Sequence, residues 1–151
     1  MNSAKNKGAG GEREIANLLN GIVRKCLESD GRHGTDIDNP ELYIQRNQIQ
    51  SAIGGKDLIN TYNLAIEVKR QEILSINSWW QQTVKSAERL KEIPILVYRQ
   101  NRKSWKVVMM AEIDTFATSK EDRVPMRIEV SIEDFLVWFE VWVAGYLKYN
   151  P

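Results

Sequence analysis

The feature that most constrains this chain is a short apolar run, Leu64 to Lys69, in which two charged residues stand at alternate positions. Because successive side chains of a β-strand point to opposite faces, Glu67 and Lys69 would lie on the same face of a strand. A turn at residues 60–63 precedes the run, and a helical pattern from Ser75 to Lys91 follows it. The chain therefore sets a carboxylate beside an ammonium on one face of a sheet.

Strand and helix patterns alternate along the rest of the chain. The apolar spacing predicts a helix from Glu12 to about Leu27, after a flexible basic arm at residues 1–8. A strand is indicated around Arg46, and strands at 95–98 and 105–110 form a predicted β-hairpin on the sheet edge, with one more strand at 126–130. We therefore predict a single domain over residues 1–151 with an α/β fold, a central mixed β-sheet flanked by helices.

The C-terminal segment 131–148 is predicted to be an apolar helix. Ser131, followed three residues later by Asp134, has the form of a capping box at its start. The apolar run behind it contains Glu140 and is shorter than the about 20 residues that a membrane span needs. We expect this helix to be buried in the core or in a dimer contact, and we expect no membrane association.

Charge is distributed unevenly along a chain whose net charge is only +1. Residues 1–110 carry 17 Lys and Arg against 12 Asp and Glu, whereas residues 111–151 carry 4 against 8. The front part is the candidate for binding phosphate, although such charge runs are also typical of a solvated surface. A lone cysteine, Cys26, and the absence of a signal-peptide pattern favour a reducing, cytoplasmic setting.

Asp57 and the Glu67 strand together form a candidate metal site. Asp57 follows Gly54-Gly55 and precedes Glu67 by ten positions. Mg²⁺ prefers oxygen ligands, so Asp57, Glu67 and the Val68 carbonyl are its predicted ligands, with Mn²⁺ as a possible substitute. Lys69 would orient a water or stabilise charge that develops on phosphorus, and Glu12 would complete the metal shell or hold an outer-sphere water. Such a site suits the hydrolysis of phosphodiesters.

These residues carry a family resemblance. Gly54-Gly55-Lys56-Asp57 with Glu67-Val68-Lys69 resembles the motif of the PD-(D/E)XK nuclease superfamily, which has a restriction-endonuclease-like fold. Lys7-Gly8-Ala9-Gly10-Gly11-Glu12-Arg13-Glu14 is similar to the opening of archaeal-type Holliday junction resolvases, in which the first Glu is catalytic. The segments 79–82 and 94–102 resemble small bacteriophage proteins described as resolvases. The resemblance implies catalytic roles for Glu12, Asp57, Glu67 and Lys69, and a phage-encoded protein of the host cytoplasm.

The resemblance does not extend over the whole chain. The region from Asp30 to Gln50 does not match the loop that bears a functional Ser in the archaeal enzymes, and Ser51 is the candidate to replace it. The tail after Glu112 has no counterpart that we can place.

Several polar side chains are predicted to contact DNA, although each also has a plainer interpretation. Glutamines such as Gln82 are usually solvated on a helix surface, and basic residues near a hairpin also keep an edge strand from aggregating. Trp79 and Trp80 suit packing better than base stacking. The predicted DNA-binding residues are Lys7, Arg13, Arg46, Arg70, Gln82 and Arg102.

The sequence as a whole predicts a Mg²⁺-dependent, homodimeric endonuclease that acts in DNA recombination on branched double-stranded DNA, as a Holliday junction resolvase does. Two alternatives stay open. The motif fits equally another PD-(D/E)XK nuclease of the restriction, repair or end-processing kind. The chain could also be a non-catalytic DNA-binding module that keeps only the fold. A histidine-based centre is excluded because His33 is the sole histidine.

Overall fold

The computed structural model describes residues 3–48, 56–116 and 119–150. Three helices and six strands are defined over these ranges, with short 3₁₀ turns between some of them. The helices are α1 (Ser3–Ser29), α2 (Ile76–Leu90) and α3 (Ile132–Tyr149). The strands are β1 (Gln45–Arg46), β2 (Leu58–Ile59), β3 (Leu64–Arg70), β4 (Ile93–Arg99), β5 (Lys106–Ile113) and β6 (Val124–Ser131).

Four of the strands form a mixed sheet in the order β3-β4-β5-β6. β3 and β4 are parallel, joined by the crossover helix α2, whereas β4–β5 and β5–β6 are antiparallel. β1 and β2 form a separate antiparallel pair. The predicted α/β fold with a central mixed sheet is confirmed, but the β4–β5 hairpin is inside the sheet and not on its edge, because β6 pairs with β5 along its whole length.

Helices cover both faces of the sheet. On one face α1 and α3 pack against side chains of β3 to β6, and the largest fully buried residues of the chain, Phe135 and Phe139, lie there. On the other face α2 covers a smaller cluster built from Trp79, Trp80 and Tyr98, together with two strand residues. The expectation that the two tryptophans pack rather than stack on bases agrees with their burial. β3 keeps one free edge within the four-stranded sheet.

The first helix begins earlier than the sequence pattern indicates. We predicted a flexible arm at residues 1–8 and a helix from Glu12, but α1 already includes Ser3, so Glu12 lies well inside the helix. Alanine and lysine favour the helix in this segment, and glycine weakens a helix without ending it as proline does. Gly11 also has a packing role, because an added Cβ there would lie 3.2 Å from the Trp105 ring.

The strand predicted around Arg46 is much shorter than its alternating pattern indicates. Within the described part of this segment, which ends at residue 48, Gln45 and Arg46 are the residues paired in a strand, and a 3₁₀ turn at Pro40–Leu42 precedes them. For β6 the sequence pattern predicts a strand that is too short. The strand spans eight residues, most of them exposed, whereas the pattern indicates only 126–130.

The C-terminal helix has the predicted cap. Ser131 accepts a hydrogen bond from the backbone N–H of Asp134 at 3.1 Å. One stripe of α3 is buried, but the opposite stripe is also apolar, with Val137 and Val141 largely exposed. Within residues 3–48, 56–116 and 119–150, no helix is both long enough and apolar enough to cross a membrane.

Candidate active site

The free edge of β3 brings together the predicted catalytic side chains. Asp57, just before β2, accepts a hydrogen bond from the backbone N–H of Val68 at 2.8 Å through its Oδ2. Since the N–H and C=O of one strand residue point to the same side, the Val68 carbonyl also faces this edge. Asp57 is therefore docked on the strand that carries Glu67, as the Asp-turn-strand order predicts.

Glu67 shares its environment with the carboxyl group of Asp57. Burial and the adjacent Asp57, which is both a like charge and a hydrogen-bond partner, raise the pKa of Glu67 to about 8. The ammonium of Lys69 acts in the opposite direction and lowers this pKa, so Lys69 lies close to the pair. The charge of Asp57 beside the buried Glu67 marks a position of concentrated negative potential.

Glu12 approaches the same edge from α1. Its side chain lies in line with the buried residues Ile15 and Leu19, and its carboxylate accepts a hydrogen bond from Arg46 Nε at 2.7 Å. The charge of Glu12 also raises the pKa of Glu67, although less than Asp57 does. Glu12 thus lies within electrostatic reach of the pair, with an arginine at its side.

Asp57, Glu67 and the Val68 carbonyl offer oxygen donors of the kind that Mg²⁺ prefers. A divalent cation beside these two carboxyl groups would favour the ionised form of Glu67, because its charge compensates theirs. The described residues contain no group of three or more His, Cys, Asp or Glu side chains arranged to hold a metal ion. The donor set therefore fits a metal bound by two carboxylates, a carbonyl and water, with Glu12 held by Arg46.

A partly buried ion pair secures the segment that carries Asp57. Lys56 Nζ lies 2.7 Å from Glu92 Oε1 and 3.4 Å from Thr61 Oγ1. The pair joins the residue before Asp57 to the residue before β4, so it fixes the entry to β2 against the sheet. Lys56 belongs to the Gly-Gly-Lys-Asp motif, but no local sequence pattern indicates its partner Glu92, which is 36 positions away.

The structure gives contacts near this edge for two of the six predicted DNA-binding residues. Arg46 contacts Glu12, and Arg70 packs beside Gly11. The remaining four are exposed on α1, on α2 and in the β4–β5 turn: Lys7, Arg13, Gln82 and Arg102. Gly54, Gly55 and Ser51 lie outside the described residues.

A second polar cluster adjoins the site and was missed by sequence reasoning. Glu14 Oε1 accepts a hydrogen bond from Trp105 Nε1 at 3.0 Å and lies 3.5 Å from a terminal nitrogen of Arg99. The Arg99 guanidinium stands over the Trp105 ring, 5.1 Å from its centroid. Glu14 belongs to the Glu-Arg-Glu part of the N-terminal motif. Its partners Arg99 and Trp105 are 85 and 91 positions away in the sequence, so the motif does not indicate them.

Comparison with known proteins gives one family match. Residues 3–143 match a family described as "Phage putative PDDEXK endonuclease". No curated protein is significantly similar to the chain. Among solved structures, the chain is similar to Archaeoglobus fulgidus Hjc, a Holliday junction resolvase from an archaeal hyperthermophile. The sequence identity is 16% and the TM-score 0.46, over 87% of this chain and 96% of that chain. A likeness this distant carries no argument about substrate.

Proposed function

Since this chain belongs to the family of phage PDDEXK endonucleases, we propose that it is a metal-dependent endonuclease that hydrolyses phosphodiester bonds in DNA, with Glu12, Asp57, Glu67 and Lys69 at its centre. The observation that carries the proposal is the pair of carboxyl groups of Asp57 and Glu67 on the free edge of β3, with Lys69 close enough to lower the pKa of Glu67.

Each residue of the proposed site has its own role in the reaction. Asp57, Glu67 and the Val68 carbonyl would hold Mg²⁺ or Mn²⁺, and Glu12 would hold water at the rim of that site. When bound, the metal polarises a phosphoryl oxygen and acidifies water. Lys69 places a positive charge beside the carboxylates, where it orients the attacking water or stabilises negative charge on the phosphoryl oxygens.

We propose a Holliday junction, a branched double-stranded DNA, as the substrate. The support is the resemblance of residues 7–14 to the opening of archaeal-type resolvases, and α1 carries this segment to the site through Glu12. Lys7 and Arg13 are exposed on the same helix, as contacts to DNA backbone require. DNA recombination in the host cytoplasm is the matching setting.

We also propose that the enzyme works as a homodimer. Resolution needs two cuts at symmetric positions, which a two-fold dimer supplies. The support is the outward stripe of α3, where Val137 and Val141 are exposed and Trp138 and Trp142 are half-buried. A second copy of the same stripe would cover these side chains, and the pairing would be self-complementary.

The test of substrate compares a four-way junction with a linear duplex of the same sequence. Purified protein with Mg²⁺ should introduce paired, symmetric cuts into the junction and leave the duplex largely intact. Equal cutting of both would favour a restriction-like or repair nuclease of the same superfamily. No cutting of either, with binding retained, would favour a non-catalytic DNA-binding module.

The test of the site uses substitutions that remove charge and keep shape. Asp57→Asn and Glu67→Gln should each lower the cleavage rate at least 100-fold, as expected when a ligand of the metal is lost, while junction binding persists. Asp114→Asn, at an exposed carboxylate paired with Arg123, is the matched control and should keep full activity. Full activity in Asp57→Asn and Glu67→Gln would remove the proposed site.

A further inference from the structure

Two arginines lie side by side where the parallel strands end. Arg70 closes β3 and Arg99 closes β4, and their Cα atoms are direct partners in the strand register. Both side chains are directed to the α1 face, since Arg70 packs beside Gly11 and Arg99 reaches Glu14. Like charges directly opposite each other destabilise a sheet. This placement therefore calls for a compensating anion.

The chain itself compensates only part of that charge. Glu14 is the carboxylate in contact with Arg99, at 3.5 Å, and within the ranges the structure describes no carboxylate is recorded in contact with Arg70. The Nε atoms of both arginines are buried without a hydrogen-bond partner among the described residues. The two guanidinium groups thus place a net positive charge at one position, and only their terminal nitrogens could meet an outside anion, because the Nε atoms are closed to solvent.

The position of the pair connects it with the proposed catalytic edge. Arg70 follows Lys69 directly in β3, and its Cβ would lie 3.6 Å from a Cβ on Gly11, the residue before Glu12. Successive strand residues point to opposite faces, so a DNA strand with one phosphate at Lys69 would cross the edge of β3 to bring a neighbouring phosphate to Arg70 on the α1 side. The guanidinium fork matches the planar geometry of phosphate oxygens better than a lysine does.

We propose that Arg70 and Arg99 form a binding site for a DNA backbone phosphate next to the one that is cut, and that Trp105 and Glu14 are positioning residues for Arg99. The Trp105 ring makes a cation–π contact with the Arg99 guanidinium, and its indole N–H donates a hydrogen bond to the Glu14 carboxylate. This inference rests on the proposed function, because it assigns a subsite to the same DNA.

The experiment measures binding of a fluorescein-labelled four-way junction by anisotropy in EDTA, over a series of salt concentrations. Arg99→Ala and Arg70→Ala should each weaken binding roughly tenfold and lower the slope of log affinity against log salt by about 1, because one phosphate contact is lost. Arg99→Lys keeps the charge, so it should keep the slope while binding more weakly. Arg123→Ala, which removes an arginine before β6, is the control and should change neither quantity.

Trp105→Phe keeps an aromatic ring and removes the N–H that holds Glu14. It should weaken binding severalfold without changing the salt slope, at a temperature well below the melting point of each variant. Unchanged affinity in Trp105→Phe would overturn the positioning role. Affinity and salt slope at wild-type level in both alanine variants would overturn the phosphate site alone, whereas a wild-type chain that binds no DNA would overturn the proposed function with it.

Discussion

Glu67 shows how a single residue can be read at two levels. In the sequence, Glu67 is an acidic residue two positions before Lys69 in a predicted strand. In the structure it lies against Asp57, and the contact and burial together raise its pKa to about 8. When a group whose charge is disfavoured by its surroundings ionises, the folded state loses stability. Groups with such a shifted pKa are common at active sites.

The raised pKa predicts how stability depends on pH in the absence of metal. The pKa of Glu67 is about 8 in the folded state against an ordinary value of 4.5, so between these values the folded chain holds a proton that the unfolded chain releases. The contribution of Glu67 is fully present below pH 4.5 and is lost as pH rises through 8.

Urea unfolding in EDTA from pH 5 to 9 checks this prediction. The free energy of unfolding of the wild type should fall relative to that of Glu67→Gln as pH rises, because the carboxamide does not titrate. The comparison with the variant cancels the titration of the groups that do not interact with Glu67. A difference that stays constant over this range would contradict the raised pKa.

The ion pair of Glu12 and Arg46 gives a second prediction at this scale. The carboxylate and guanidinium side chains are only 10% and 26% exposed. Arg46→Ala leaves the Glu12 carboxylate without this partner in a largely buried place, so it should lower the free energy of unfolding by about 2–3 kcal/mol.

Thermal and urea unfolding measure this loss against two references. Arg24→Ala breaks an exposed i,i+4 pair with Glu28 and should cost no more than about 0.5 kcal/mol. In the Glu12→Gln background Arg46→Ala should cost much less than in the wild type. An equal cost in both backgrounds would show that Arg46 acts through contacts other than Glu12.

At the scale of elements, the sequence predicts what local periodicity encodes. β3 and α2 were predicted almost to their ends, because alternation and helical spacing are clear there. β6 is mostly exposed, so its pattern carries little apolar signal and did not reveal which strand forms the edge. The adjacency of Glu67 and Lys69 follows from one strand. The Glu12–Arg46 pair joins residues 34 positions apart, and no local pattern encodes such a contact.

The glycines of α1 allow a test at this scale. Gly10 has open space around the position of an added Cβ, whereas a Cβ on Gly11 would lie 3.2 Å from Trp105. Gly10→Ala should raise the free energy of unfolding by about 0.5–1 kcal/mol, because alanine favours the helix and meets nothing. Gly11→Ala should gain less or lose stability, since the ring must move. Urea unfolding of both variants checks this, and equal gains would contradict close packing at Gly11.

At the scale of the whole molecule, the edge of the sheet that carries the candidate catalytic residues is separate from the helical layer formed by α1 and α3. Asp57, Glu67 and Lys69 lie on the free edge of β3, while α3 packs on the face shared with α1. The outward stripe of α3 can therefore meet another chain without blocking the edge strand. This separation is what a dimer with two independent active sites requires.

The outward stripe of α3 carries the last prediction. Val137 and Val141 are 68% and 70% exposed, so a charge at either position should leave the fold of the monomer intact. In a dimer that buries this stripe, Val141→Glu places two like charges near the two-fold axis without a partner. Sedimentation at micromolar concentration should then show a dimer for the wild type and a monomer for Val141→Glu, with Val137→Glu acting in the same direction. Ile73→Glu, at a residue 80% exposed outside α3, should stay dimeric as the control. The consequence for cleavage follows from symmetry: a plasmid with an extruded cruciform should be linearised by the wild type and only nicked by Val141→Glu. A wild-type monomer, or a variant that still dimerises and linearises the plasmid, would show that α3 is not the interface.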